Sequence, residues 1–377
     1  MSTPVAPASL PTDFMQFALR LAEEGLYRTS PNPRVGCVLV DASQQIIGQG
    51  STQRAGGPHA EVMALRDARA RGHATQGATA YVTLEPCSHH GRTGPCCDAL
   101  AEAGIARVVA SLGDPNPRVA GQGFERLRAA GVEVEVGPGA EASRELNIGF
   151  LSRMMRRMPW VRLKSAASLD GITALPDGQS QWITSAAARA DVHAWRARAC
   201  AVLTGVGTVL ADDPRLDVRE VPTERQPWVA VLDSRLRTPP DAALLRAQAR
   251  DVVIYCAIRD ESRERALRAS GATIVHLPGP DGRVALRDVM ADLAAREANE
   301  VHVEAGAIAS GALCAAGLVD EVLLYLAPKL LGQGRGIAPF GPLPDLGQAL
   351  GLTIRSVTQV GPDLRVCARV ADRESMA

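Results

Sequence analysis

Short runs of aliphatic and β-branched residues alternate with Ala-, Leu- and Arg-rich stretches along the chain. In the first half the apolar runs predict strands at Val35–Val40, Ala80–Leu84, Arg107–Ser111 and Val132–Val136. Helical stretches fill the intervals at Asp13–Glu24, His59–Arg71, Cys97–Ala103 and Gly123–Ala130. Strands separated by helices read as βαβ units around a mostly parallel sheet. A longer helical stretch, Glu141 to Met155, ends at Met158-Pro159, and proline beyond a basic helix end is a stop signal. The domain boundary is therefore placed near residues 150–158. Beyond it the alternation resumes, with strands expected at Trp160–Lys164, Ala201–Thr204, Trp228–Leu232, Val252–Cys256, Thr273–Leu277, Val301–Glu304 and Val322–Ala327. Helices are expected at Ala186–Ala199, Ala285–Ala298 and Ile308–Ala316. The resulting layout is a loose tail at 1–11, a first α/β domain at 12–155 and a second at 156–377.

Composition narrows the function classes. The 377 residues suit two domains, and 46% hydrophobic with 22% charged residues is ordinary for globular cores. Formal net charge is zero. A protein gripping a nucleic-acid duplex normally carries a basic excess to neutralise phosphates, so no nucleic-acid partner is expected. No apolar run approaches the roughly 18–20 residues of a bilayer span, and Met1 to Pro11 lacks the basic start and apolar stretch of a signal peptide. A cytoplasmic enzyme with no membrane partner is the expectation, and disulfides are rare in that compartment. Five of the eight cysteines, Cys37, Cys200, Cys256, Cys314 and Cys367, sit among apolar residues and read as small core side chains. Cys87, Cys96 and Cys97 do not.

Those three fall in the sharpest motif. Pro58-His59-Ala60-Glu61 is followed by Leu84-Glu85-Pro86-Cys87 and Pro95-Cys96-Cys97, the H-x-E…P-C…C form of zinc deaminases. A catalytic zinc takes three protein ligands and leaves one position for a water, whose pKa it lowers to about 7. His59, Cys87 and Cys96 would be the ligands. Glu61, two residues after His59 and not itself a ligand, would carry the proton from water to the ring nitrogen and then to departing ammonia. A closed structural zinc with Cys97 as fourth ligand is the competing reading, but it has no use for Glu61. The usual second element is P-C-x-x-C, whereas here Ser88 to Pro95 separates the two cysteines. In that insertion His89, His90 and Arg92 either meet an anionic group or lie on a solvated loop. Asn32, before the first strand, either bonds a ring or sugar or simply makes a turn. Asp114 and Asn116, after the third, lie where open α/β sheets bind ligands and carry the same two readings.

The second half holds no motif as sharp. Gly205-Val206-Gly207 lacks the third glycine of a dinucleotide fingerprint. Val303-Glu304-Ala305-Gly306 runs from a strand into a small-residue turn and a helix, a suitable anion cradle. Trp182 lies among hydroxyl residues and reads either as a ligand contact or as a core anchor; Glu304 reads either as a site group or as a strand-end carboxylate with a structural partner.

Taken in order, His59-Ala-Glu61, Thr83-Leu-Glu-Pro-Cys-Ser-His-His-Gly-Arg92, Pro95-Cys-Cys-Asp98, Asp114-Pro-Asn-Pro117, Ser168-Leu-Asp-Gly171, Ser180-Gln-Trp-Ile-Thr184, Thr208 to Pro214, Val303-Glu-Ala-Gly306 and Ala327-Pro-Lys-Leu-Leu-Gly332 resemble the bifunctional deaminase–reductase family of riboflavin biosynthesis. The likeness runs from about residue 13 to 370, and the extended P-C-x8-C spacing is particular to that family. It implies a cytidine-deaminase-like αβα domain followed by a dihydrofolate-reductase-like α/β domain. It further implies Zn2+ and NADPH as cofactors, a small phosphorylated pyrimidine as substrate, and a homo-oligomer. By position, Ala166, Trp182, Thr208, Asp212, Ser234 and the turn Gly306, Ala307, Ile308, Ala309, Ser310, Gly311, Ala312 look like NADPH contacts. Ser180, Arg196, Leu216, Arg219 and Glu304 look like substrate contacts, joined by Lys164 in the second half and by Asn32, His89 and Arg92 in the first. Arg196 and Arg219 suit a phosphate. The chain departs from the family at Ile172, where Arg or Lys is usual, at Gln179, where Glu is usual, and at Leu175-Pro176-Asp177. A nucleic-acid base deaminase would instead act on oligonucleotides and consume no NADPH. A non-catalytic binding protein on a zinc fold would be indifferent to Glu61→Gln.

Overall fold

The computed structural model describes residues 13–88, 94–116, 119–247, 250–371 and 373. The tail at 1–11, His89, His90, Arg92 and Pro117 lie outside them. The chain divides into two compact units, the first ending at Met154 and the second beginning at Met155.

In the first unit α1 (Phe14–Glu23) starts on Asp13, whose carboxylate accepts the Gln16 N–H. Then come β1 (Gly36–Val40), β2 (Ile46–Ser51), α2 (Ala60–Ala70), β3 (Thr79–Val82), α3 (Cys96–Glu102), β4 (Arg107–Ala110), α4 (Gln122–Ala129), β5 (Glu133–Val136) and α5 (Ala140–Arg156). The sheet order is β2-β1-β3-β4-β5. It is mixed rather than mostly parallel: β1 runs antiparallel to both β2 and β3, while β3, β4 and β5 are parallel. The tight turn after β1 explains this, because a few residues can join only antiparallel neighbours. Asp41 shapes that turn by accepting the N–H groups of Ser43 and Gln45. Residues such as Leu39, Val82, Leu100, Val108 and Leu127 form the core between the sheet and α2, α3 and α4.

The second unit contains β6 (Trp160–Ser168), β7 (Ile172–Ala174), α6 (Ala186–Arg198), β8 (Ala201–Gly205), α7 (Val206–Asp212), β9 (Trp228–Leu232), α8 (Ala243–Arg246), β10 (Val252–Cys256), α9 (Glu261–Ala269), β11 (Ala272–His276), α10 (Leu286–Ala295), β12 (Glu300–Val303), α11 (Ala307–Ala315), β13 (Glu321–Ala327), β14 (Arg335–Gly336), β15 (Leu352–Val360) and β16 (Asp363–Val370). Nine of the strands form one sheet in the order β11-β10-β9-β8-β12-β6-β13-β16-β15. Pairings from β11 to β13 are parallel, and the β13-β16-β15 end is antiparallel. Residues of α10 and α11 cover one face with Val161, Val301 and Val303. On the other face α6 lies over a buried polar row. There Arg162 pairs with Glu300 and Glu321 at 3.1 and 3.0 Å and stacks on the Trp195 ring. Burial without such partners would be costly for Arg162.

Candidate active sites

In the first unit the turn before α2 aims two side chains inward. Gln53 N–H bonds Pro58 O, and Gly56 takes a left-handed φ of 90° that a side chain would resist. His59 then N-caps α2 with extended backbone, so Glu61 falls in the first helical turn, only 3% exposed. Gly48 and Gly50 of β2 let α2 approach the sheet: a Cβ on Gly50 would lie 2.5 Å from Met63 Cβ and 2.6 Å from Ala64 N.

Cys87 follows β3 by way of Thr83-Leu84-Glu85-Pro86, and Cys96 opens α3. Cys87 Sγ and Cys96 Sγ lie 3.5 and 3.3 Å from His59 Nδ1, and the three ligand atoms are all within 4.8 Å of one another. Tetrahedral zinc with about 2.3 Å bonds to sulfur and 2.0–2.1 Å to nitrogen requires S···N edges of roughly 3.5 Å. The donor set and its spacing therefore fit zinc. Cys97 points elsewhere, into the core and toward Asp98 Oδ1 at 3.5 Å. The Cys87 thiol is pulled down to about 4 by hydrogen bonds from Cys96 and His59, while the Cys96 thiol is pushed up by its bond to Cys87. Bonding to Cys87 raises His59 to about 8. Burial, then the Cys87 charge, pushes Glu61 up to about 7, a value suited to taking and giving a proton near neutrality.

Glu85 was not singled out by sequence. Its buried carboxylate accepts N–H groups from Asp114 (3.0 Å), Gly121 (3.0 Å), Gly123 (2.9 Å) and Phe124 (3.4 Å), so it shapes the loop after β4. Within that loop Asp114 Oδ1 accepts the Asn116 N–H at 2.8 Å. Burial, with Glu85 and Cys87 nearby, raises the Asp114 carboxyl to about 6. Asn32 sits half-buried in a turn, its N–H on Thr29 O.

In the second unit Glu304, just past β12, gathers the cations named from sequence. Arg196 forks onto it at 2.5 and 2.9 Å, and Lys164 Nζ approaches to 3.9 Å. Burial pushes this carboxyl up, but Arg196 and then Lys164 hold it well below the usual range. Burial likewise depresses the Lys164 amine. His302, missed by sequence, is fully buried 3.6 Å from Glu304, and burial pulls its imidazole down to about 3.

Around this cluster Thr208 Oγ1 accepts the Gly306 N–H at 3.0 Å, joining α7 to the 306–312 turn. Ala307, Ile308, Ala309, Ser310, Gly311 and Ala312 are the first six residues of α11. Ile308 is exposed, whereas Ser310 and Gly311 are buried, and Gly311 packs against the Pro339 backbone. Trp182 is 64% exposed with the Arg189 guanidinium 4.3 Å above its ring, so it is no core anchor. Next to it Gln181 donates to Asp212 at 3.1 Å, and Ser180 is half-buried. Ala166, half-buried on β6, packs with Val192 and Tyr325. Ser234 lies two residues past β9 and accepts the Val284 N–H. Arg219 pairs with Asp217, and its N–H reaches His193 Nδ1. Leu216 is buried in a core cluster, and its carbonyl accepts from Arg250 Nη1 at 2.8 Å. Asp170, in the Ser168–Gly171 motif, ties β6 to the 331–332 turn by accepting both N–H groups.

The two units thus correspond to a zinc-binding deaminase and a reductase of the NADPH-dependent type. Residues 9–112 match the cytidine and deoxycytidylate deaminase zinc-binding region, and residues 159–366 match the RibD C-terminal domain. The chain is 46% identical over 364 residues to riboflavin biosynthesis protein RibD of Escherichia coli strain K12, covering 93% of this chain and 97% of the relative. Acinetobacter baumannii RibD superposes with a TM-score of 0.85 at 42% identity, over 94% of this chain and 97% of that one. A diaminohydroxyphosphoribosylaminopyrimidine deaminase/5-amino-6-(5-phosphoribosylamino)uracil reductase of Thermotoga maritima gives 0.83 at 33% identity, over 95% and 98%. The chain belongs to the RibD family of bifunctional riboflavin biosynthesis enzymes.

Proposed function

We infer that this chain catalyses two consecutive steps. The first is hydrolytic deamination of 2,5-diamino-6-(5-phosphoribosylamino)pyrimidin-4(3H)-one. The second is NADPH-dependent reduction of the ribosyl arm, giving 5-amino-6-(5-phosphoribitylamino)uracil. The observation carrying the first step is the His59–Cys87–Cys96 cluster with Glu61 buried beside it. Zinc held there supplies an activated water and a Lewis acid. Glu61, near pKa 7, takes a proton and delivers it to the ring nitrogen and the leaving ammonia. Asn32, His89 and Arg92 are assigned to substrate binding in this unit.

In the second unit Ala166, Trp182, Thr208, Asp212, Ser234 and the 306–312 turn are assigned to NADPH. Ser180, Lys164, Arg196, Leu216, Arg219 and Glu304 are assigned to the substrate. Glu304 holds Arg196 rigidly, so a substrate phosphate or hydroxyl meets an oriented guanidinium rather than a freely rotating one. The domain limits proposed are 12–155 and 156–377.

We place the enzyme in the cytoplasm; no helix among the described residues is long and apolar enough to cross a membrane. A homo-oligomer is proposed on the exposed apolar side chains Leu352, Ile354 and Val357 of edge strand β15, and light scattering after size exclusion tests it.

The test of function follows ammonia release and NADPH oxidation together on the diamino-pyrimidinone ribosyl phosphate. Both signals are expected, ammonia first, and both should vanish after zinc chelation. Ammonia without NADPH oxidation would refute the second step; neither signal from zinc-loaded protein would refute both.

A further inference from the structure

The two thiols of the metal cluster are separated by eight residues, Ser88 to Pro95. In the shorter P-C-x-x-C arrangement a single helical turn fixes both sulfurs relative to each other. Here that local constraint is gone, and a free loop of this length would leave the second sulfur many positions to choose from. Something outside the loop must set the spacing, and α4 touches the chain on either side of Cys87 and the helix that carries Cys96.

Ahead of Cys87, the Glu85 carboxylate is held by the Gly123 and Phe124 N–H groups of the first turn of α4. Gly123 makes this approach possible, since a Cβ there would lie 2.0 Å from Pro86 O, the carbonyl bonded to Cys87. Behind Cys87, Arg126 of α4 donates from Nη1 to the Ser88 carbonyl at 2.7 Å. The same guanidinium reaches Asp98 Oδ1 from Nε at 3.3 Å, two residues beyond Cys96 on α3. One helix therefore grips the chain on both sides of the first thiol and ties it to the helix that carries the second. Across this frame Cys96 N–H lies 3.4 Å from Cys87 Sγ and Cys97 N–H lies 3.2 Å from Cys87 O.

We propose that α4 is the brace that fixes the two thiolates across the long insertion, with Arg126 and Glu85 as positioning residues. The proposal rests on the zinc reading above. Neither residue touches the metal; each acts through the backbone next to a ligand. Outer partners that orient metal ligands are worth roughly 10–100-fold in metal affinity.

The experiment uses the full chain loaded with zinc, and separately with cobalt(II). Zinc transfer to a chromophoric chelator is timed for wild type, R126A, R126K and E85Q, and the visible cobalt bands are recorded. NADPH oxidation on the deaminated intermediate reports whether the second unit is intact. Arg126 is half-exposed, so R126A should fold even where E85Q does not. Expected are zinc release at least roughly ten-fold faster in R126A, altered cobalt bands, and partial recovery in R126K, which keeps the charge facing Asp98. Wild type that holds zinc while R126A releases it equally slowly, with unchanged cobalt bands, overturns the brace alone. Wild type that takes up neither metal overturns the zinc reading, and the brace with it.

Discussion

Gly50→Ala should cripple deamination without touching reduction. The methyl group would point from β2 into α2, 2.5 Å from Met63 Cβ, 2.6 Å from Ala64 N and 2.8 Å from Ala60 O. Carbon atoms rest about 3.5–4.0 Å apart, so the helix must retreat by about 1 Å at its first turns. Two of the three neighbours are backbone atoms, which no rotamer change can relieve. That end of α2 begins at His59 and carries Glu61, while Cys87 and Cys96 come from other elements and stay in place. A displacement of about 1 Å between reacting groups costs on the order of 100-fold in rate, or about 2.7 kcal/mol of barrier. The overpacking itself should destabilise the first unit by about 1–3 kcal/mol. The assay compares kcat for ammonia release at saturating substrate, with zinc per chain measured on the same sample and reductase turnover as internal control. A Gly50→Ala enzyme with full zinc and kcat within two-fold of wild type would refute the claim that close packing of α2 on β2 sets the geometry of the site.

Glu61→Gln should keep zinc yet lose deamination by several orders of magnitude, because the amide cannot shuttle a proton; metal analysis alongside ammonia release checks both halves. Glu304→Ala should leave Arg196 and Lys164 facing each other without their counter-charge, costing about 3–5 kcal/mol in the second unit and impairing reduction while deamination persists; urea unfolding and the two separate assays decide it. His302 gives the second unit a pH dependence. Its folded pKa of about 3 lies below the ordinary 6.5, so the unfolded chain binds the extra proton and stability falls as pH drops from 6.5 toward 3. The slope is about 1.4 kcal/mol per pH unit, so about 2 kcal/mol is lost between pH 6.5 and 5. Unfolding of wild type and His302→Asn at those two pH values should show the larger loss in wild type, since His193, also depressed by burial, remains in the variant; parallel losses would contradict the assignment.

The zinc cluster was legible because three ligands and a carboxylate of fixed types must recur at readable spacings. Glu85 was not, since its partners are backbone N–H groups 29 to 39 residues away that any sequence would supply. For the same reason Arg126, bonding a carbonyl, left no trace. Strand β2 went unseen because Gly48 and Gly50, which serve the approach of α2, erase the β-branched pattern that announces a strand. His302 was hidden inside an apolar-looking run: Val301 and Val303 face the core while His302, one position over, faces the polar row under α6. Leu216 was named by position as a substrate contact, and its side chain packs inward, a direction that sequence position does not carry. The short strand β14 was missed because it lies inside the glycine- and proline-rich stretch from 332 to 347, which reads as loop.

The placement of β16 makes the order of synthesis matter. It is translated after both of its neighbours, β13 and β15, yet lies between them. Until it emerges, β13 has an open edge and β15 has no strand to join, so a stop codon before Asp363 should be as damaging as one much earlier. The first unit has all its strands by Val136. At roughly 5–20 residues per second it has on the order of ten seconds or more to fold before the reductase sheet can close. A ribosome stalled late in this message would therefore carry a finished deaminase ahead of a reductase sheet still waiting for its inner strand.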